Sequence, residues 1–155
     1  MTTREKIDFK TRLKQHCIAV IEQRVANAAA AMQQAQDAAN EEEKSSAGDK
    51  YETSRAMNHL EKDMHAKQLQ SNRQELSLLS SIDCSRIYTT VTTGSVVICA
   101  DVSFFIAAGL GKILFEGKSI YILSPAAPVS KLLLNKERGD SVTFNGRTSL
   151  IQDLY

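Results

Sequence analysis

The first half of the chain is nearly free of residues that interrupt helices. Residues 1–80 contain one glycine, Gly48, and no proline, whereas both prolines and the other six glycines lie after residue 93. Glycine and proline are the strongest local signals for turns and helix ends, so a long segment without them favours long helices. We therefore expect a helical first half and a second half with many turns.

An apolar stripe at helical spacing predicts the first helix. Its members follow one another in steps of three or four: Leu13, Cys17, Ile21, Val25, Ala28, Met32, Ala35 and Ala39. This spacing places them on one face, and the alanines and glutamines around them are strong helix formers. Residues 40–49, NEEEKSSAGD, then favour a chain reversal, because serine, glycine and aspartate prefer turns and caps to helix interiors.

Helix formers resume after the reversal. The apolar residues of this second helical segment are Met57, Leu60, Met64, Leu69, Leu76 and Leu79. We expect Met57, Leu60 and Met64 to form part of the hairpin core, although the stripe changes phase near residues 67–72. Two helices joined by a short polar tip predict an antiparallel coiled-coil hairpin over residues 1–80.

After Asp83 the chain changes to short runs of β-branched and aromatic residues, which predict strands at 87–91, 95–100, 102–107, 112–115 and 119–123. Asn145-Gly146 is the dipeptide best suited to a tight hairpin between residues 142–144 and 148–151. Residues 129–134 predict one short helix against the sheet. Residues 84–155 therefore predict a small α+β domain.

Charge is balanced overall but not along the chain. The 19 basic and 18 acidic residues give a formal charge of +1, which argues against a protein that holds duplex DNA by a basic face. Residues 37–52, however, contain six acidic residues and two basic ones. The predicted hairpin thus has an acidic tip near residues 41–52.

Two tip carboxylates, Asp49 and Glu52, are spaced three residues apart at the start of the second helix. This spacing places them on one side of the helix, and carboxylate oxygens are ligands that Mg²⁺ accepts. The plainer alternative is that Asp49 caps the helix and the neighbouring glutamates are merely solvated.

Other candidate sites are weaker. His59 and Asp63 lie four apart and make half a metal site, while His16 and Cys17 are neighbours that point in different directions from a helix.

The three cysteines lie far apart without a metal-binding spacing, which indicates reduced thiols and a cytoplasmic protein. Residues 1–14 lack the apolar core of a signal peptide, and no membrane span is predicted because charged residues and glycines interrupt the apolar window 96–115.

Over nearly its whole length the sequence resembles the bacterial transcript-cleavage factors GreA and GreB. Residues 128–140, PVSKLLLNKERGD, are similar to the family's proline, short apolar helix, lysine and Gly-Asp before a final strand pair. Asn135 replaces the family's usual glycine, and asparagine also accepts a left-handed backbone. At the tip, Gly48, Asp49 and Glu52 match the family's spacing, whereas residues 53–56, TSRA, depart from its Asn-Ala-Glu-Tyr. Glu41, Glu42 and Glu43 are the reserve carboxylates.

The resemblance implies an FKBP-like fold for residues 84–155 and a factor that binds RNA polymerase through its secondary channel. Such a factor is not an enzyme itself but stimulates the polymerase's own cleavage of backtracked RNA near the RNA 3′ end. Asp49 and Glu52 would be catalytic carboxylates acting in trans on the Mg²⁺ of the polymerase, with no cofactor of the factor's own and no sequence-specific DNA binding. The residues expected to contact the polymerase are Pro128, Val129, Lys131 and Lys136.

Three alternatives stay open. The chain could occupy the channel without stimulating cleavage, as some relatives of the family do, or it could be a structural coiled-coil adaptor. A prolyl isomerase would use the FKBP-like fold directly, but it depends on an aromatic-lined pocket, and this chain has no tryptophan and only five phenylalanines and four tyrosines.

Overall fold

The structure, a computed structural model, describes the backbone of residues 1–43 and 48–155 and the side chains of residues 1–41 and 52–155. Two helices, α1 (Thr3–Glu43) and α2 (Gly48–Ser81), precede a six-stranded sheet that carries one short helix. The predicted α+β class, with an N-terminal helical hairpin before a small sheet domain, is confirmed. The described chain forms two compact units, one of Met1–Ala19 with Glu75–Tyr155 and one of Val20–Gln74.

Helix α1 begins with a reciprocal cap. The Thr2 amide donates to Glu5 Oε2 at 2.6 Å, and the Glu5 amide donates to Thr2 Oγ1 at 3.2 Å, which satisfies two amides that the first helical turn leaves without partners. The helix continues to Glu43, so the prediction that residues 40–43 belong to the reversal is wrong. Three consecutive glutamates are good helix formers and extend the helix, and the residues between the helices lie outside the described part of the chain.

The buried face of α2 is not the one that the sequence predicted. Met57, Leu60 and Met64 are 66%, 70% and 52% exposed, whereas Leu69 is only 7% exposed. Leu60 and Leu69 are nine residues apart, which at about 100° of rotation per residue places them on opposite sides of the helix. Since one helix can turn only one of these faces inward, burial of Leu69 leaves the three earlier residues in solvent.

Within the unit Val20–Gln74, apolar, small and polar residues together form the seam between the two helices. Helix α1 contributes the buried side chains of Ile21, Ala28 and Ala35, and Lys62 of α2 donates to Gln36 Oε1 of α1 at 2.6 Å. The inward-turned positions of α2 recur in steps of three or four and are Ser54, Asn58, Lys62, His65, Leu69 and Asn72. Both apolar packing and a side-chain hydrogen bond therefore stabilise the contact between α1 and α2 in this unit.

The sheet has the strand order β3-β4-β2-β1-β6-β5. Its strands are β1 (Val96–Cys99), β2 (Ser103–Ile106), β3 (Gly111–Phe115), β4 (Lys118–Leu123), β5 (Ser141–Phe144) and β6 (Arg147–Leu154). Strands β2 and β4 run parallel, and the other neighbours run antiparallel. Asn145 and Gly146 have φ of 50° and 74°, which is the type I′ geometry expected of this dipeptide.

One predicted strand is absent from the described sheet. Residues 87–91 form only an isolated bridge, between Thr90 and Glu137. The Val91 amide donates to the Lys136 carbonyl at 2.8 Å, and the Val91 carbonyl accepts from the Asn135 amide at 2.9 Å. Because the loop after α3 takes these backbone groups, the segment pairs with that loop instead of joining the sheet.

The two faces of the sheet are covered by different helices. Helix α3 (Pro128–Leu133) covers one face through Leu133, which belongs to a buried cluster with Phe104, Ile106 and Ile151. On the other face, Phe9 of α1 meets Phe115 and Tyr155 with ring centroids 5.6 and 6.3 Å apart.

Two lysines of α1 donate hydrogen bonds to backbone carbonyls at the C-terminal end of α2 and in the segment after it. Lys14 Nζ donates to the carbonyls of Ser80 and Ile82 at 3.0 and 2.8 Å. Lys10 is fully buried, donates to the Arg86 carbonyl at 2.8 Å and has its Nζ 4.6 Å from the centre of the Tyr88 ring. Burial lowers the pKa of Lys10 to about 8.

The burial of Leu69 and the exposure of Leu60 predict unequal costs for the same substitution. We expect Leu69→Ala to lower the free energy of unfolding by about 2–3 kcal/mol through lost packing, and Leu60→Ala to change it by no more than ~0.5 kcal/mol. Urea denaturation followed by circular dichroism measures both values. Equal losses in the two variants would contradict the assigned face of α2.

The lowered pKa of Lys10 predicts a pH dependence of stability. Between the folded value of about 8 and the ordinary value of 10.5, the unfolded chain binds the proton more tightly, so the free energy of unfolding rises with pH. From pH 7 to pH 9, the stability of the wild type relative to Lys10→Met should rise by roughly 1 kcal/mol. Parallel pH profiles of the two proteins would show that Lys10 is not held in this environment.

Candidate functional site

The acidic tip consists of the end of α1 and the start of α2. Glu41 lies in the last turn of α1, Asp49 is the second residue of α2, and Glu52 follows within the same helix. The Glu41 and Glu52 side chains are exposed. The side chains of residues 42–51, which include Asp49, Glu42 and Glu43, lie outside the described residues. Asp49 and Glu52 thus occupy positions three apart on one continuous helix, which is the spacing of side-chain neighbours on a helix surface.

The arms that lead to the tip carry polar side-chain pairs. Gln33 Nε2 donates to Asp37 Oδ1 at 2.9 Å, and Gln36 Nε2 donates to Asn40 Oδ1 at 3.0 Å. Such pairs four residues apart stabilise a helix locally. They extend helical support on α1 to within a few residues of Glu41 and help hold the end of this helix in place.

The described residues do not contain a complete metal site of their own. Across the described side chains, those of residues 1–41 and 52–155, no three from histidine, cysteine, aspartate or glutamate are grouped so that they could hold a metal ion. His59 and Asp63 are both exposed on α2 and therefore remain half of a site. Asp49 and Glu52 would be two oxygen donors, a set suited to completing the coordination of a Mg²⁺ that another protein holds.

The four predicted contact residues around α3 differ in exposure. Pro128 and Lys131 are exposed, Lys136 is half-buried, and Val129 packs against the buried cluster beneath α3. Sequence reasoning missed Leu132, which is 65% exposed while Leu133 is fully buried. Residues 131–134, KLLL, carry no signal that separates the two leucines, because a six-residue helix can bury either one.

The turn after α3 has the geometry expected from the sequence. Asn135 has a φ of 67°, which is the left-handed conformation that asparagine tolerates better than other side-chain-bearing residues. The segment that most resembles the Gre factors therefore folds as a short helix, a left-handed residue and a loop that leads to β5.

The thiols are structural. Cys17 is fully buried, and burial raises the pKa of its thiol to about 12. Its neighbour His16 packs against Phe115 with ring centroids 5.2 Å apart. Burial also raises the pKa of Cys84 and Cys99, so none of the three is poised to act as a nucleophile at neutral pH.

Among the described helices, none has an apolar stretch long enough to cross a membrane.

Comparisons with known proteins give a structural match. The solved structure of the transcription factor Gfh1 covers 89% of this chain and 92% of its own chain, at 19% sequence identity and a TM-score of 0.37. Neither family models nor curated proteins match the sequence.

The burial of the cysteines predicts slow thiol modification in the native protein. We expect the folded chain to resist a disulfide reagent such as DTNB at neutral pH, and all three cysteines to react once the chain is unfolded in guanidinium chloride. The release of thionitrobenzoate measures both reactions. Rapid modification of any thiol in the native state would contradict the packing described for these side chains.

Proposed function

We propose that the protein is a Gre-like transcription factor that enters the secondary channel of RNA polymerase and stimulates cleavage of backtracked RNA. The observation that carries the proposal is the placement of exposed carboxylates, Glu41 and Glu52, at the adjoining ends of two long helices that precede a small α+β domain. The polymerase performs the cleavage, and the factor supplies ligands. The resemblance of residues 128–140 to the Gre pattern supports the same proposal.

The unit Val20–Gln74 suits entry into a narrow channel. It consists of parts of α1 and α2, and a helix with its side chains is only about 10–12 Å across. A pair of such helices is thinner than a globular domain. Most of its exposed residues are polar or charged, Met57, Leu60 and Met64 being the large apolar exceptions, so the helices can lie in a hydrated passage.

At the tip, Asp49 and Glu52 would share a Mg²⁺ with the polymerase. A metal ion in that active centre activates a water and stabilises charge on the phosphodiester. The carboxylates of this chain would hold and orient that ion through oxygen ligands. Glu41, at the end of the neighbouring helix, is the reserve ligand that the described structure places on the surface.

The surface of α3 is proposed to contact the polymerase outside the channel. Pro128, Lys131 and Leu132 are exposed on this helix, while Val129 packs inward and supports it. An exposed leucine beside a lysine offers both an apolar contact and a charge. Lys136 lies at the edge of this surface.

The tip sequence favours a second candidate, a factor that occupies the channel without stimulating cleavage. Arg55 is exposed on α2 three residues after Glu52, where the Gre pattern has no cation. A guanidinium at this spacing can pair with the Glu52 carboxylate and reduce its capacity to bind a metal. Occupation of the channel alone would need no free carboxylate.

Cleavage of backtracked RNA by stalled elongation complexes tests the proposal. The Asp49→Asn, Glu52→Gln double variant removes both tip charges, and Glu61→Gln, Asp63→Asn removes two exposed charges farther along the same helix as the matched control. We expect wild type and control to release 3′ RNA fragments with Mg²⁺, and the tip variant to be at least about tenfold slower with unchanged binding to the polymerase.

Each other outcome has a defined meaning. Equal cleavage by the tip variant would show that Asp49 and Glu52 are not the ligands. Binding of the wild type without cleavage would select the channel-occupying candidate, and absence of binding to the polymerase would overturn both.

A further inference from the structure

A cavity of about 320 Å³ opens on the sheet domain, within the compact unit that contains all six strands. Its volume lies in the range of small-molecule pockets. Residues from five places in the chain line it, among them Asp101, Lys112, Tyr121, Phe144, Asn145 and Arg147. Among the described residues, none of α3 contributes to its wall.

Aromatic rings form the apolar part of this cavity. Tyr121 of β4 and Phe144 of β5 have ring centroids 4.9 Å apart at an interplanar angle of 69°, and both are half-buried. Phe104 lies behind them, fully buried, with its centroid 5.2 Å from that of Phe144. The two half-buried rings make a corner in which a planar group can stack on one ring and meet the edge of the other.

Two cations border the same cavity. Lys112 Nζ lies 6.0 Å from the centre of the Tyr121 ring, and Arg147 follows the Asn145-Gly146 turn. Among the described residues, neither cation forms an ion pair. An anionic group in the cavity would therefore not have to displace a carboxylate from either side chain.

The third feature is a hydrogen-bond acceptor. Asp101, exposed on the turn between β1 and β2, borders the cavity together with Asn145. An ionised carboxylate can only accept hydrogen bonds, so it would repel the side chains of an acidic peptide. The fitting ligand is anionic at one end, flat and apolar in the middle, and bears hydroxyl or amino donors.

We propose that this cavity binds a nucleoside 5′-phosphate unit. The base lies against Tyr121 and Phe144, since bases stack on aromatic side chains; the phosphate faces Lys112 and Arg147; and a ribose hydroxyl donates to Asp101. The same unit occurs in a free nucleotide and in a single RNA strand. The site goes beyond the proposed function, because it uses no residue of the tip.

Titration of the full-length protein with AMP, a short oligoadenylate RNA, 2′-deoxy-AMP and inorganic phosphate tests the inference, with NMR resonances of the cavity residues as the readout. We expect saturable shifts with AMP or the RNA and weaker binding of inorganic phosphate. If the RNA binds more tightly than AMP, the natural ligand is a single RNA strand. If the RNA and AMP bind with equal affinity per nucleotide site, the natural ligand is a free nucleotide.

Matched variants locate the site. Lys112→Glu should weaken AMP binding by at least about fivefold, whereas Lys118→Glu, the same charge change on the neighbouring strand outside the cavity, should not. Asp101→Asn should leave a bound nucleotide but reduce the preference for AMP over 2′-deoxy-AMP. Unchanged circular dichroism spectra would show that the variants fold.

Three results would overturn the inference. These are no saturable shift with AMP or RNA, equal weakening by Lys112→Glu and Lys118→Glu, or inorganic phosphate binding as tightly as AMP. Displacement of AMP by an acidic peptide of higher affinity would instead assign the cavity to a protein partner.

Discussion

Two lysines of α1 donate to backbone carbonyls at the C-terminal end of α2 and just after it, and the contact of the first turns of α1 with the segment that leads to the sheet depends on them. The last carbonyls of a helix lack intrahelical donors and carry partial negative charge. Lys14 donates to the carbonyl of Ser80, in the last turn of α2, and to that of Ile82 just after it, whereas Lys10 donates to the carbonyl of Arg86, beyond the end of the helix. Because these lysines alternate with the buried Leu13 and Cys17, the same two turns of α1 provide both polar and apolar contacts.

The helix pair of the unit Val20–Gln74 is packed differently from this region. In the unit Val20–Gln74, the buried side chains among the described residues are Ile21, Ala28 and Ala35 of α1 and Leu69 of α2, and Lys62 donates to Gln36 between the helices. Because few large apolar side chains are buried there, apolar burial stabilises each helical turn less. Intrinsic helix propensity therefore contributes a larger share of the stability of these helices.

Local patterns were sufficient for most elements of the fold and insufficient for two of them. The absence of breakers predicted the helices, and Asn145-Gly146 predicted its hairpin. The sequence contained two apolar stripes on opposite sides of α2, and a local pattern does not indicate that the side with Leu69 is buried and the side with Leu60 is not. Residues 87–91 have the composition of a strand, but their backbone partners, Asn135 and Lys136, lie too far along the chain for a local pattern to reveal them.

The same distinction applies to the candidate sites. Asp49 and Glu52 are close in sequence, so their spacing was visible at once, whereas the aromatic cavity gathers Asp101, Lys112 and Phe144 from separate strands and turns. Exposure of Lys131 and burial of Val129 likewise depend on which side of a six-residue helix meets the sheet. Sites formed by distant segments become apparent only in the folded chain.

Delivery of the tip to the metal of RNA polymerase is tested most directly by replacing the catalytic Mg²⁺ with Fe²⁺ in a complex with this factor. Hydroxyl radicals generated at the iron cut only the nearby backbone, and end-labelled factor reports the positions of the cuts. Cuts clustered in residues 41–52 are the expected result. A bound factor that is cut only within residues 84–155, or not at all, would contradict placement of the tip at the catalytic metal.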